Sequence, residues 1–409
     1  MTAYRGIEFL RRRLAQKRIR VLKRYEYYEM KQRVRDIDIS TPDELRFWQD
    51  NALGWCTKAV DTLANRLVFR EFREDNFAMN EIFNMNNPDI LVDSAILSAL
   101  IAGCSFVYIS ADETGYPRLQ VIDGANATGI MDQITGLLTE GYAVLERDDM
   151  LRPTLEAYFT AEETIILTNG EESGRWANPT GHPLLVPIVF RADAKRPFGH
   201  SWITRAGMNL VDAASRTLKR AEITAEFYSV PQKYVTGLDP DAERLDRWRA
   251  TITTMLTFTK DQDGDKPTLG QFQQASMNPH LDMMRLLASM FGGDAGLTMD
   301  DMGFPSENPS SAEAIKAAHE SLRGTARKAQ KAFGSGLLNV GYLAACLRDQ
   351  YPYQRSQVYL TQAVWEPLFE PDASMMASIG DGAYKINQVV PDYIDGEVIR
   401  DLTGVRGGA

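Results

Sequence analysis

A chain of 409 residues with 44% hydrophobic content is long enough for a sizeable core and for two or three domains. Its formal net charge of −10 argues against a protein that coats nucleic acid by bulk charge. The cysteines, Cys56, Cys104 and Cys346, are odd in number and far apart, so neither a disulfide framework nor a zinc site follows and a reducing compartment is expected.

The N-terminal segment departs from that average. Residues 1–35 hold twelve Lys or Arg against three acids, Glu8, Glu26 and Glu29. "MTAYRGIEFLRRRLAQ" lacks the apolar run of a signal peptide. Apolar residues at Ile7, Leu10, Leu14, Val21 and Tyr25 predict a helix with a basic outer face. A second helix is predicted over 42–68, started by Thr41-Pro42, and a third after Pro88. "LVDSAILSALIAGCSFVYI" (91–109) contains Asp93, Gly103 and three serines, so it reads as a buried helix entering a buried strand, not a membrane span.

Between 105 and 191 the pattern turns to short β-branched and aromatic runs separated by turn residues: "SFVYISA", "RLQVID", "YAVLER", "TLEAYFT", "ETIILTN" and "LLVPIVF". These predict a mostly antiparallel sheet. A long helix is then expected to about Tyr228 with Ser201 as its cap, about 42 Å in length. "QKYVTG" and "TLGQFQQ" read as strands flanking a helix that carries Leu245, Trp248, Ile252 and Met255. Asn278-Pro279 starts a helix with Leu281, Met284, Ala288 and Phe291 on one face, stopping at Gly292-Gly293. After a loop, Ser310 and Glu313 form a capping box for a helix whose apolar stripe continues to Leu347, about 55 Å if unbroken. Gly334, Gly336 and Gly341 are points where it can kink. A strand in "SQVYLTQAVW" and two short helices finish the chain. The fold class is α+β.

No known catalytic motif stands out. GxxxxGK[ST], HExxH, CxxC pairs and GxSxG are all missing. The histidines His182, His200, His280 and His319 sit in unrelated segments. "DQDGD" at 261–265 has calcium-like oxygens, but Phe272 stands where the closing Glu belongs, so it reads as a turn. No catalytic centre and no cofactor are expected. Two other readings compete with a structural role. One is a metal-dependent nucleic-acid enzyme using "MDD" at 299–301. The other is an oligomeric adaptor unrelated to DNA.

What remains is an order of parts: a long helix, a strand–helix–strand insert of about 45 residues, a returning helix, a loop and a very long helix. Such an insert holds little core of its own and calls for neighbouring copies, hence a ring. Between Leu238 and Glu313 there are thirteen acids and six bases.

The stretches "WCTKAVDTLANRL", "LIAGCSFVYI", "HPLLVPIVFR", "AEFYSVPQKYVTGLD" and above all "GFPSENPSSAEAIKAAHESL" resemble the portal proteins of tailed double-stranded DNA bacteriophages of the long-tailed type. The resemblance implies a homo-oligomeric ring, typically a dodecamer, at one capsid vertex, through which DNA is packaged and later ejected. It implies a wing (1–200, with the long helix and strand of 310–365), stem helices (201–228 and 276–293), a clip (229–275), a tunnel loop (294–309) and a small crown (366–409). Partners implied are double-stranded DNA, the terminase large subunit, a head–tail adaptor, and major capsid and scaffolding proteins, with no membrane and with assembly in the host cytoplasm. Met299, Asp300, Asp301, Met302, Gly303 and Phe304 would line the channel, the acids repelling phosphate and the apolar residues giving adaptable contact. Gln232, Lys233, Tyr234, Asp241, Arg244, Trp248, Asp261 and Asp263 would form the docking surface of the clip. Arg11, Arg12 and Arg13 are candidates for contact with capsid or internal DNA.

Overall fold

The computed structural model describes residues 4–34, 52–229, 233–236, 268–271, 276–305, 317, 319–368 and 373–404. Helix α1, Ile7–Tyr28, follows the predicted period and buries Leu10, Leu14, Val21 and Tyr27. Its first turn has no cap of its own. The buried carboxylate of Glu140 instead accepts the N–H groups of Arg5 and Gly6, at 3.0 and 2.7 Å, and so satisfies donors that would otherwise be orphaned. Helix α2 spans Trp55–Ala64, shorter than the expected 42–68 over the described residues. The apolar run that follows enters a ladder instead: β1, Phe69–Arg73, pairs antiparallel with β12, Gln362–Trp365, and Phe69 meets Trp365 edge-on at 5.7 Å. A short helix α3, Met79–Asn84, precedes α4, Pro88–Ala102. Pro88 opens α4, and Gly103, with φ +99°, turns it directly into β2, Cys104–Ala111.

The predicted single sheet is two. β3 (Pro117–Asp123), β2 and β9 (Leu185–Val189) form one, in that order. β4 (Ala127–Met131), β5 (Leu138–Arg147), β6 (Pro153–Phe159), β7 (Glu163–Thr168) and β8 (Glu171–Ala177) form the other as an antiparallel meander. The two strands that periodicity missed, β4 and β8, are the edges of the meander. β8 is largely exposed and polar, so no buried face imposes an alternation on it.

The three-stranded sheet sits at the centre because both its faces are covered. On one face Ser105 donates to the Ala95 carbonyl of α4, and Ile188 lies against Gly336. On the other, Tyr108 meets Phe159 of β6 edge-on at 5.2 Å, and Leu185 contacts Gly141 of β5. Gly336 belongs to α7, Glu320–Arg348, a single 29-residue element. Its glycines permit close approach. A Cβ at Gly336 would stand 2.9 Å from Ile188 Cδ1, and one at Gly341 2.8 Å from Met79 Sδ. Phe333 of α7 is fully buried and stacks on Phe190 at 5.9 Å.

Two helices project from this body. α5 is Arg205–Ser229 and α6 is Asn278–Ala295. Ser201 does not cap α5, since its hydroxyl donates to Ile203 two residues on. Thr204 does, accepting the Gly207 N–H at 2.8 Å. α6 passes the predicted stop at Gly292-Gly293 and ends at Gly296, φ +63°. The run continues because Phe291, Gly292 and Ala295 are all buried against the body. Strands β10, Lys233–Thr236, and β11, Thr268–Gln271, pair antiparallel as expected. The predicted strand over 356–365 is reduced to β12, preceded by a 3-10 turn at Arg355–Val358. Helices α8, Ala373–Val389, and α9, Gly396–Thr403, complete the chain. Arg73 of β1 ties α9 to the body through both carboxylate oxygens of Asp401 at 2.7 Å. The capping box at Ser310 and Glu313 lies outside the described residues.

Candidate functional site

The loop singled out by the sequence begins where α6 ends. Residues 298–304 form an ordered turn. Asp301 accepts the backbone N–H and the hydroxyl of Thr298, at 2.9 and 2.7 Å, and its other neighbour is His319 Nε2 at 3.2 Å. The N–H groups of Met302 and Phe304 donate back to Thr298 and Met299. Burial alone would raise the Asp301 carboxyl. The Thr298 hydrogen bonds and the His319 ring outweigh it, and the carboxyl is held below its ordinary value. Met302 is buried, and Met299 and Phe304 pack partly against the main core. Asp300 and Gly303 are exposed. The two neighbouring aspartates therefore differ: Asp301 holds the turn together and Asp300 faces outward. Among the described residues no group of three or more His, Cys, Asp or Glu is placed to hold a metal ion.

The three N-terminal arginines also separate. Arg11 is bidentate to Glu156, at 3.0 and 2.7 Å, and also reaches Glu8. Glu156 is buried and further accepts the Tyr142 hydroxyl. Burial disfavours the Arg11 charge, but these hydrogen bonds outweigh it and the net shift is upward. Arg12 is exposed. Arg13 lies over the Phe198 ring at 5.5 Å, and Lys17 joins it at 4.3 Å. Burial pushes the Lys17 ammonium down to about 8, with help from Arg13 and Arg20. Lys17 and Phe198 were not anticipated. The signal was present in the spacing of Arg13, Lys17, Arg20 and Arg24, which share one face of α1.

Of the predicted clip residues, Lys233 and Tyr234 lie in β10, opposite Gln271 and Gly270. Gln232, Asp241, Arg244, Trp248, Asp261 and Asp263 lie outside the described residues. His200 Nε2 pairs with Asp193 at 2.6 Å and His280 approaches Thr224 at 3.3 Å, the latter between α6 and α5. The three cysteines are unbridged, and burial raises all their thiols. Among the described residues no helix is long and apolar enough to cross a membrane.

The described fold combines a covered central sheet with a pair of long helices, α5 and α6, and a short two-stranded ladder between them in the chain. Residues 7–367 match the family described as phage portal protein, SPP1 Gp6-like, and the chain belongs to that family. The portal protein of Mycobacterium phage L5 is 25% identical over 389 residues, covering 88% of this chain and 77% of that protein. The portal protein of Mycobacterium phage D29 is 25% identical over 386 residues, with the same coverage. Similar solved structures include a chain in the virion of a native gene transfer agent particle, with TM-score 0.43, 13% identity, and coverage of 96% of this chain and 99% of that one. Another is in the neck of an empty gene transfer agent particle, with TM-score 0.44, 13% identity, and coverage of 90% and 95%. The assignment rests on the family match. A member of this family builds the ring through which double-stranded DNA enters the phage head.

Proposed function

We propose that twelve copies of this chain form the ring and that residues 294–309 are its tunnel loop. The wing is 1–200 with 310–365, the stem 201–228 with 276–293, the clip 229–275 and the crown 366–409. The ring sits at the portal vertex of the virion after assembly in the host cytoplasm. The clip docks the terminase large subunit during packaging and the head–tail adaptor afterwards. Capsid and scaffolding proteins surround the wing. The chain itself catalyses nothing, and a separate motor supplies the energy.

One observation supports this reading above the others. α6 leaves Leu281, Met283, Leu286 and Met290 each 44–55% accessible, while Leu287, Ala288, Phe291 and Ala295 are buried. An amphipathic helix that leaves the body with an uncovered apolar face is suited to burial between copies. In a ring of such helices, the loop at the end of α6 points its exposed Asp300 at the axis, where an anionic side chain lets a duplex slide without being gripped.

The test is the native mass of the purified chain together with electron-microscope views. A ring of about a dozen subunits, with a hole of about 20 Å or more for a duplex, is expected. A monomer or dimer at every concentration would overturn the reading. In the ring, Asp300→Lys should add DNA affinity that falls steeply with salt, measured by filter binding. Unchanged affinity would remove the loop from the channel wall.

A further inference from the structure

A cavity of about 790 Å³ opens between α1, the start of β2, the loop after β9 and the first turn of α5. That is within the range of about 300–1,000 Å³ usual for small-ligand sites. Four cations of α1 line it, Arg13, Lys17, Arg20 and Arg24. Arg191, Lys195 and Arg196 come from the loop after β9, and Arg205 from the start of α5. No Asp or Glu is in the wall. The acid of the loop, Asp193, is occupied by His200 and by the N–H groups of Lys195 and Arg196. None of the eight cations is ion-paired with a carboxylate among the described residues.

Like charges converge here at a cost. Burial and the neighbouring cations depress Lys17, and they lower Arg24 as well. The positions are nevertheless held: Phe198 supports Arg13 and Lys17, Arg24 donates to the Ile203 and Arg20 carbonyls, and Arg196 contacts the His200 ring at 3.3 Å. The N-terminus of the 25-residue α5 adds positive potential on the same side. Arg13, Lys17 and Arg24 are half-buried in this wall, and Arg20, Arg191, Lys195, Arg196 and Arg205 are exposed around it. A concave wall that draws them together from three elements suits a ligand carrying several negative charges in a small volume. Guanidinium forks match phosphate oxygens in geometry as well as in charge.

We propose that this cavity binds phosphate groups, supplied either by a free oligophosphate or by consecutive backbone phosphates of a nucleic-acid strand. The proposal stands on the cavity alone and does not need the ring or channel assignments.

Calorimetric titration of the full chain tests it, with sodium tripolyphosphate, a short oligothymidylate and a pentaglutamate peptide as probes. One phosphate probe should bind at one site per chain and weaken by about tenfold or more between about 50 and 200 mM salt. Arg13→Ala with Arg196→Ala should weaken it by about tenfold or more. Lys23→Ala, on the same helix but paired with Glu26 and outside the wall, should leave it unchanged. Lys17→Met separates binding from folding, because it should melt higher, relieved of a crowded charge, and yet bind more weakly. Tighter binding of oligothymidylate with a steeper salt dependence makes the strand the source, and the reverse order makes it a free oligophosphate. No binding of either phosphate probe at low salt, pentaglutamate binding tighter than both, or Lys17→Met binding as the wild type does, would overturn the proposal.

Discussion

The central body and the α5–α6 pair are built from the same kinds of residue to opposite ends. In the body, the faces of the central sheet and the apolar stripe of α7 find cover within the chain. The three-stranded sheet has helices α4 and α7 on one side and the five-stranded meander on the other, and α7 buries Phe333, Leu337, Val340, Leu343 and Leu347 along one stripe. In α6 one face is covered, through Ala288, Phe291 and Ala295, while the opposite face carries Met283, Leu286 and Met290 uncovered, and Leu281 is exposed near the start of the helix. α9 is similar, with no buried residue at all. The body is therefore complete in one copy. The projecting parts are not, which is what a protein that functions as a ring requires of its subunit.

The strongest way to break this contrast is inside the body. Phe333→Ala removes a fully buried ring stacked on Phe190 and should cost about 4 kcal/mol. Chemical denaturation of the chain measures it, and a loss under about 1 kcal/mol would mean that the body is not the stabilising unit. Arg11→Met comes next, because it leaves the Glu156 carboxylate buried without its cation. The expected loss is about 3 kcal/mol, read by the same experiment, and no loss would return Arg11 to the pool of surface charges. Replacing Leu281, Leu286 and Met290 together by Ser should change the stability of the single chain by only about 0.5 kcal/mol per site. The same variant should nevertheless assemble poorly, as native mass would report. Rings at wild-type yield would mean that this face is not between copies.

The smallest effect concerns pH and the turn after α6. Asp301 is held below its ordinary value of 3.8 in the folded chain, so its contribution is fully present above that value. It is lost as pH falls through the lower folded value. Hydrogen-exchange protection of the Met302 and Phe304 amides should drop over that interval. Asp301→Asn should remove most of the pH dependence, and an unchanged profile would show that the turn does not depend on this carboxylate.

Much of the fold was legible because long apolar periods leave little choice. Leu10, Leu14 and Val21 placed α1, and "LVDSAILSALIAGCSFVYI" placed α4 and β2 with the turn at Gly103 between them. The failures come from contacts that consecutive residues do not show. β4 and β8 are sheet edges, Ser201 lost the cap to Thr204 by three residues, and α6 overran its glycines because burial of Ala295 outweighed their low propensity. In the candidate loop, composition located the segment. It did not distinguish Asp300 from Asp301, because that distinction depends on Thr298 and His319 reaching one of the two.

By itself the sequence determined the fold class, the acidic stretch around α6 and the resemblance that the family match bears out. These are properties of local pattern, written in consecutive residues. Tertiary structure alone decided which charges do what. Arg11 is consumed by Glu156 across 145 positions, whereas Arg13 and Lys17 meet Arg191 and Arg196 around one cavity. Charges act over a few ångströms of space and not along the chain, so only the packing of α1 against the loop after β9 makes a basic helix face into a candidate phosphate site.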